Sequence, residues 1–245
     1  MDILESHTRY KKSSLANARS VISKLLPFFI SCCNYFVLWL PLSEPDLFHA
    51  FIKSLPILTL AFFVVVQSIS QGRFSPYSKK IFVGLLFSAA GDICLLWTDF
   101  FLHGMVMFAL AHLMYITAFG FRPLKLLLFI ILALLCVAFN LLTSQYLNGP
   151  FIYMVPGYSV LIGTMAWRAL SRLNLASYEF SWARTSSALG SLIFMVSDCV
   201  LAVDKFCFPI SHSRAVIMST YYGGQMFIAL SITTKSEDDF MWKRK

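Results

Sequence analysis

The sequence predicts an all-α fold, a polytopic membrane bundle of eight transmembrane helices. Three observations carry this prediction. Hydrophobic residues make up 58% of the 245-residue chain and charged residues only 13%, against about 25% charged in a soluble domain. The apolar residues gather into eight runs, each within the ~17–25 residues that a spanning helix needs. The basic residues alternate between the two sides that those runs define, as the enrichment of Lys and Arg in cytosolic loops requires.

In chain order the runs are Leu25–Leu42, Phe48–Ile69, Ile81–Trp97, Phe101–Phe121, Leu124–Leu142, Phe151–Trp167, Thr185–Val203 and Ala215–Thr233. Only Arg122-Pro123 separates the fourth from the fifth, which predicts a tight helical hairpin. Pro156 and Gly157 interrupt the sixth. The divisions expected are a basic tail over 1–24, the membrane domain over 25–233 and a second tail over 234–245. The first tail has no apolar core ahead of a small-residue cleavage site, so the first spanning helix is expected to serve as the targeting signal.

The chain has 20 Lys and Arg and a formal net charge of +8. All but three of these cations fall in the N-terminal tail, the even-numbered connections or the C-terminal tail. The exceptions are Lys53, inside the second run, and Lys205 and Arg214, in the last odd-numbered connection. Positive-inside bias then places both termini in the cytosol. The charge belongs to loops and has no interleaved stacking aromatics, so nucleic acid is not an expected partner. Five of the six cysteines (Cys32, Cys33, Cys94, Cys136 and Cys199) lie within apolar runs as small hydrophobes. Only Cys207 lies in a connection. No C-x-x-C pair suggests a disulfide framework or a thiolate zinc site.

Two aspartates stand inside apolar runs, Asp92 in Ser88-Ala-Ala-Gly-Asp92-Ile-Cys-Leu-Leu and Asp198 in Phe194-Met-Val-Ser-Asp198-Cys-Val-Leu. A carboxylate at membrane depth costs roughly 2.5–3.5 kcal/mol on insertion scales, which makes it a functional-site candidate. At about 1.5 Å per residue, both lie ~18–21 Å from the cytosolic helix ends, counted from Lys80 and Arg184, and so at matching depth. Small residues lead to each: Gly84 and Ser88 before Asp92, Ser187 and Ser191 before Asp198. Such stripes favour close packing, and the third and seventh helices are expected to face each other. Each intramembrane Asp is followed by an exit-loop Asp (Asp99, Asp204), the trace that a parallel four-plus-four repeat would leave.

Other polar residues could complete a site. Lys53 either snorkels to the interface or pairs with an Asp or a phosphate. His112 either lines a cavity or bonds a neighbouring helix. His103, nine residues away, faces roughly the opposite way. Tyr221 or Tyr222 could donate to a carboxylate, or sit at the interface. Asn34 could join helices or point into a cavity. The tail Lys243-Arg-Lys245 is basic in keeping with a cytosolic end, and a retrieval signal is a further reading of it. No Walker A loop, G-x-S-x-G elbow, H-E-x-x-H or Rossmann fingerprint is present. The expected site uses no cofactor and no metal.

The chain resembles the lysoplasmalogenase-like membrane proteins, the YhhN family, most closely its vertebrate members. The resemblance rests on Tyr35-Phe-Val-Leu-Trp-Leu-Pro41, Ile52-Lys-Ser-Leu-Pro56, Phe87-Ser-Ala-Ala-Gly-Asp92, Ala111-His-Leu-Met-Tyr115, Ala118-Phe-Gly120, Ser197-Asp198 and Ile217-Met-Ser-Thr-Tyr-Tyr222. It implies an eight-helix hydrolase of the endoplasmic reticulum membrane. Its substrate would be a lysoplasmalogen, cleaved with water to a fatty aldehyde and glycerophosphoethanolamine or glycerophosphocholine.

Vinyl ethers hydrolyse by proton transfer to the carbon β to oxygen, followed by water addition. This needs one acid and one base, as in two-carboxylate glycosidases. A carboxyl in apolar surroundings favours its neutral form, and two neighbouring carboxyls do not both ionise cheaply. Asp92 and Asp198 are therefore the expected acid/base pair, with either one as the acid, since their titrations are coupled. Three other classes use similar parts. A lipid or proton-coupled transporter would use the aspartates as a relay. An intramembrane aspartyl protease would cleave peptides. A zinc hydrolase would recruit His103, His212 and an Asp, which their loose spacing argues against.

Overall fold

The computed structural model describes residues 3–41, 46–173 and 181–233, with side chains from residue 18 onward. The proposed C-terminal tail and its Lys243-Arg-Lys245 lie outside the described residues. The described chain is all-helical: α1 (Ile3–Leu38), α2 (Leu47–Ser70), α3 (Pro76–Cys94), α4 (Phe101–Phe119), α5 (Leu126–Ser144), α6 (Phe151–Ser171), α7 (Trp182–Ala202) and α8 (Ser213–Leu230). A 3-10 turn, Thr98–Phe100, leads into α4, and a π turn, Val203–Cys207, extends α7.

Each apolar run becomes one helix, because a backbone in lipid must satisfy its own hydrogen bonds. Helix α1 begins much earlier than its run, since no Pro or Gly interrupts the sequence before Pro27. Helix α6 passes through Pro156 and Gly157 without a break. Asp46 caps α2 by accepting from His49 N–H at 2.7 Å, and Ser75 caps α3.

Five helices (α1, α2, α4, α5 and α7) are long and apolar enough to cross a membrane. The chain is a multi-pass membrane protein. Helices α3, α6 and α8 fall short because they carry Lys79, Lys80 and Asp92, Arg168, and Arg214 with the polar stretch Ser219–Gln225. They are largely interior: α3 packs against α2, α4 and α8, α6 against α4, α5 and α7, and α8 against α2, α3 and α7. A helix shielded by neighbours need not be apolar all round. Helices α1 and α5 are peripheral. Helix α1 buries one stripe, Leu25, Phe28, Ser31 and Tyr35, and α5 buries only Leu132 and Thr143.

Two packing expectations are corrected. Helices α4 and α5 form no packed hairpin, because α6 packs against both. The fully buried Arg168 of α6 explains this, donating from Nε to Gly120 O at 2.6 Å and from Nη1 to Pro123 O at 3.0 Å. That pins the short connection over the end of α6. Helices α3 and α7 do not face each other directly, since α8 packs on both. The small stripe of α3 receives aromatic rings instead. A Cβ on Gly84 would run into the Tyr115 ring, and one on Gly91 would stand 2.7 Å from the Phe108 ring. Among the glycines, a close approach to the backbone of another helix lies between α7 and α8, where a Cβ on Gly190 would meet Gly224 O at 2.7 Å.

Candidate active site

The helix ends that converge on one cavity are the C-terminal ends of α1, α3 and α7 and the N-terminal ends of α2, α4, α6 and α8. The cavity measures about 250 Å³. Small-molecule sites span ~300–1,000 Å³, so this cavity lies just below that range. Asp92, Asp198, Lys53, Arg214, Tyr158 and Tyr221 supply most of its polar wall. Leu95, Phe101, Met105, Phe108, Leu201 and Phe206 supply an apolar side.

Asp92 stands near the end of α3 and is 2% exposed. Its Oδ2 accepts the Tyr221 hydroxyl at 2.8 Å. One turn earlier on α3, Ser88 accepts from Gln225 Nε2 at 2.9 Å, and Gln225 Oε1 accepts from Tyr115 at 2.8 Å. Since Tyr221 and Gln225 are also one turn apart, these two rungs set the register of α3 against α8.

Asp198 is more open, its side chain 15% exposed. Its Oδ2 accepts the Tyr158 hydroxyl at 2.5 Å and lies 3.6 Å from His112 Nε2. Tyr158 in turn is 2.8 Å from His112 Nε2. Because the Tyr158 hydroxyl donates to Asp198, its oxygen is left to accept from His112 Nε2–H. His112 is fully buried and its Nδ1 has no partner. The result is a chain of hydrogen bonds from α4 through α6 to α7. The two carboxyl groups, one on α3 and one on α7, are near enough to interact electrostatically.

The remaining candidates divide. Lys53 lines the cavity and is an electrostatic neighbour of Asp92. Tyr222 donates to the Lys53 backbone carbonyl at 2.7 Å and not to a carboxylate. His112 lies behind Tyr158 and does not line the cavity itself, which corrects one of its two readings. Asn34 is exposed and belongs to neither the cavity nor a helix contact. The reason is rotational: α1 turns Tyr35 inward, and the preceding residue is displaced by about 100° around the helix. His103 and His212 are exposed and lie outside the cavity wall.

Sequence reasoning missed Tyr158 and Tyr35 as site residues and treated Arg214 only as topology. Tyr158 follows Pro156-Gly157 in a run that read as interrupted. A tyrosine in mid-run was the available signal.

The YhhN family model matches residues 48–232. Lysoplasmalogenase TMEM86A of Bos taurus is 48% identical over 219 residues, covering 87% of this chain and 90% of that protein. The Homo sapiens protein of that name is 44% identical over 216 residues, with 87% and 90% covered. Lysoplasmalogenase TMEM86B of Homo sapiens is 38% identical over 231 residues, with 94% and 96% covered. No solved structure matches the chain significantly. The matched region runs from the start of α2 to the end of α8 and takes in both carboxylates with their tyrosines, so it is through the part that builds this cavity that the chain belongs to the YhhN family.

Proposed function

We propose that the chain is a lysoplasmalogenase that hydrolyses the vinyl ether of a lysoplasmalogen with Asp92 and Asp198 as acid and base. The observation that carries the proposal is that both carboxylates, from helices far apart in sequence, line one largely apolar cavity, each holding a tyrosine hydroxyl. The names of the mammalian relatives support it.

In this mechanism Asp92 delivers its proton to the alkenyl carbon β to the ether oxygen. The charge left on the adjacent carbon is an oxocarbenium ion, stabilised by the neighbouring carboxylate as in glycoside hydrolysis. Asp198, the more open of the two, takes a proton from water as the water oxygen bonds to that carbon. The hemiacetal then breaks to a fatty aldehyde and a free glycerol hydroxyl, Asp198 giving its proton to the leaving glycerol oxygen and Asp92 taking that of the hemiacetal hydroxyl, which restores both groups. Tyr221 and Tyr158 orient the carboxylates, and His112 holds Tyr158. No cofactor or metal enters the scheme.

All eight helices are proposed to cross the membrane, with both termini cytosolic and the cavity at the luminal end of an endoplasmic reticulum protein. The antiparallel succession of eight helices and the one-sided distribution of Lys and Arg support this. The equivalent positions of Asp92 and Asp198, each late in the third helix of its half, support a four-plus-four repeat. Residues 25–233 would form the hydrolase domain, flanked by the two tails.

The test is aldehyde release by purified protein from a lysoplasmalogen beside the matching saturated-ether lysolipid. Release from the vinyl ether alone is expected, and no release from folded protein overturns the proposal. Tyr158→Phe refines it. The lost hydroxyl bonds a charged partner, a contact worth ~1.5–3 kcal/mol, so kcat is expected to fall by roughly tenfold or more with little change in KM. Steady-state kinetics read this split, and a rise in KM at constant kcat would make Tyr158 a binding residue instead.

A further inference from the structure

We propose that Arg214 and Lys53, backed by His49, form an anion site that holds the phosphodiester of a single-chain phospholipid against the aspartate pair. The proposal deepens the lysoplasmalogenase reading and rests on it for the identity of the lipid.

Topology provides the first argument. Of the 20 Lys and Arg, only Lys53, Lys205 and Arg214 stand off the basic side of the bundle, against the positive-inside bias. Two of the three line the cavity.

The second argument is how Arg214 is held. Its Nε donates to Tyr35 OH at 3.1 Å and its Nη1 to Leu40 O at 2.7 Å. Its guanidinium lies 4.3 Å from the Trp39 ring centroid. These contacts fix the plane of the group, while Nη2 is buried and has no partner. No acidic side chain among the described residues pairs with it. An arginine that lines the cavity, is oriented by neutral groups and keeps one nitrogen unpartnered has donor capacity left for an anion that arrives from outside.

The third argument is what surrounds it. Lys53 is an electrostatic neighbour of both Asp92 and Arg214, with no ion pair to a carboxylate among the described residues. The two are tied together, since Tyr222 bonds the Lys53 carbonyl and meets Tyr35 edge to face at 5.5 Å. His49 lies one turn before Lys53 on the same face of α2 and within electrostatic range of both cations. It is 2% exposed, and neither of its ring nitrogens has a partner. Arg214 Nη2 and the His49 nitrogens are buried without partners, and an anion joining the two cations would offset their mutual repulsion and take up such a donor. A glycerol backbone carries its phosphate and its vinyl ether on opposite end carbons. All four side chains line one cavity, so the phosphate is placed at Arg214 and Lys53 and the ether beside it at Asp92 and Asp198.

The experiment measures binding to the full chain in lipid nanodiscs, using an uncleavable 1-O-alkyl lysophosphoethanolamine and the matching 1-O-alkylglycerol without phosphate. Wild type is expected to bind the phosphorylated ligand about tenfold or more tightly, the scale of a charge-assisted contact. Arg214→Gln and Lys53→Met should each shrink that ratio severalfold and leave alkylglycerol binding within about twofold of wild type. Because Arg214 also ties Tyr35 and Leu40, Lys53→Met gives an independent result if Arg214→Gln does not fold. Absence of a phosphate preference in wild type overturns the proposal, as does an unchanged ratio in folded variants. Neither ligand is hydrolysed, so the outcome stands apart from aldehyde release: binding with no turnover removes the hydrolase reading and keeps the anion site, and turnover with no phosphate preference does the reverse.

Discussion

Replacing Asp92 or Asp198 by Asn is expected to lower lysoplasmalogen turnover by a factor of about 10²–10⁴, the usual contribution of a general acid or base. Asn keeps the shape of the side chain and an oxygen that accepts the tyrosine hydroxyl, so Tyr221 and Tyr158 retain their partners at the positions now bonded at 2.8 and 2.5 Å. Proton transfer alone is removed. Each variant should therefore remain folded, with thermal unfolding in detergent close to wild type, while aldehyde release disappears. The double variant should be little worse than either single one, because the two groups act as a unit and such losses do not add. Undiminished release by both single variants would take the aspartates out of the mechanism.

Gly190→Ala is expected to destabilise the bundle and the site together. Its Cβ would stand 2.7 Å from Gly224 O and 2.8 Å from Ile228 N. Both are backbone atoms, so relief requires α7 and α8 to separate. Overpacking of this kind costs about 1–3 kcal/mol. The same displacement carries Asp198 on α7 away from Tyr221 on α8, and Tyr221 holds Asp92. Unfolding temperature and turnover should therefore fall in parallel, in contrast to the Asn variants. Gly223→Ala, one residue from Gly224, is the control: a Cβ there meets nothing within 4 Å, and the variant should melt with wild type. Equal melting of Gly190→Ala and Gly223→Ala would mean that the interface accommodates the methyl group.

Asp92, Asp198 and Lys53 were legible in the sequence because an ionisable residue within an apolar run stands out against its neighbours. Tyr221 was legible for a similar reason, as part of a polar interruption of α8, although only packing decided that it and not Tyr222 meets a carboxylate. Tyr158 and His49 were not legible, since a tyrosine or a histidine in a helix has many ordinary uses. What distinguishes Tyr158 is its place between His112 and Asp198. What distinguishes His49 is two buried nitrogens without partners. Arg214 was visible as an exception to the charge pattern, but its free Nη2 depends on the ring of Trp39 and the carbonyl of Leu40 closing the rest of the guanidinium.

The sequence by itself determined the class, the number of helices and the two carboxylates. Lipid leaves the backbone few alternatives to a helix, and the cost of burying charge makes each exception visible in one dimension. The tertiary structure alone decided which helices meet. Small residues announce that something packs closely without naming the partner, so the stripe on α3 took the rings of Tyr115 and Phe108 where α7 had been expected. The lateral order of helices depends on pairwise fit, such as the Gly190–Gly224 approach and the Arg168 bonds across the α4–α5 connection, and no single run encodes a fit between two.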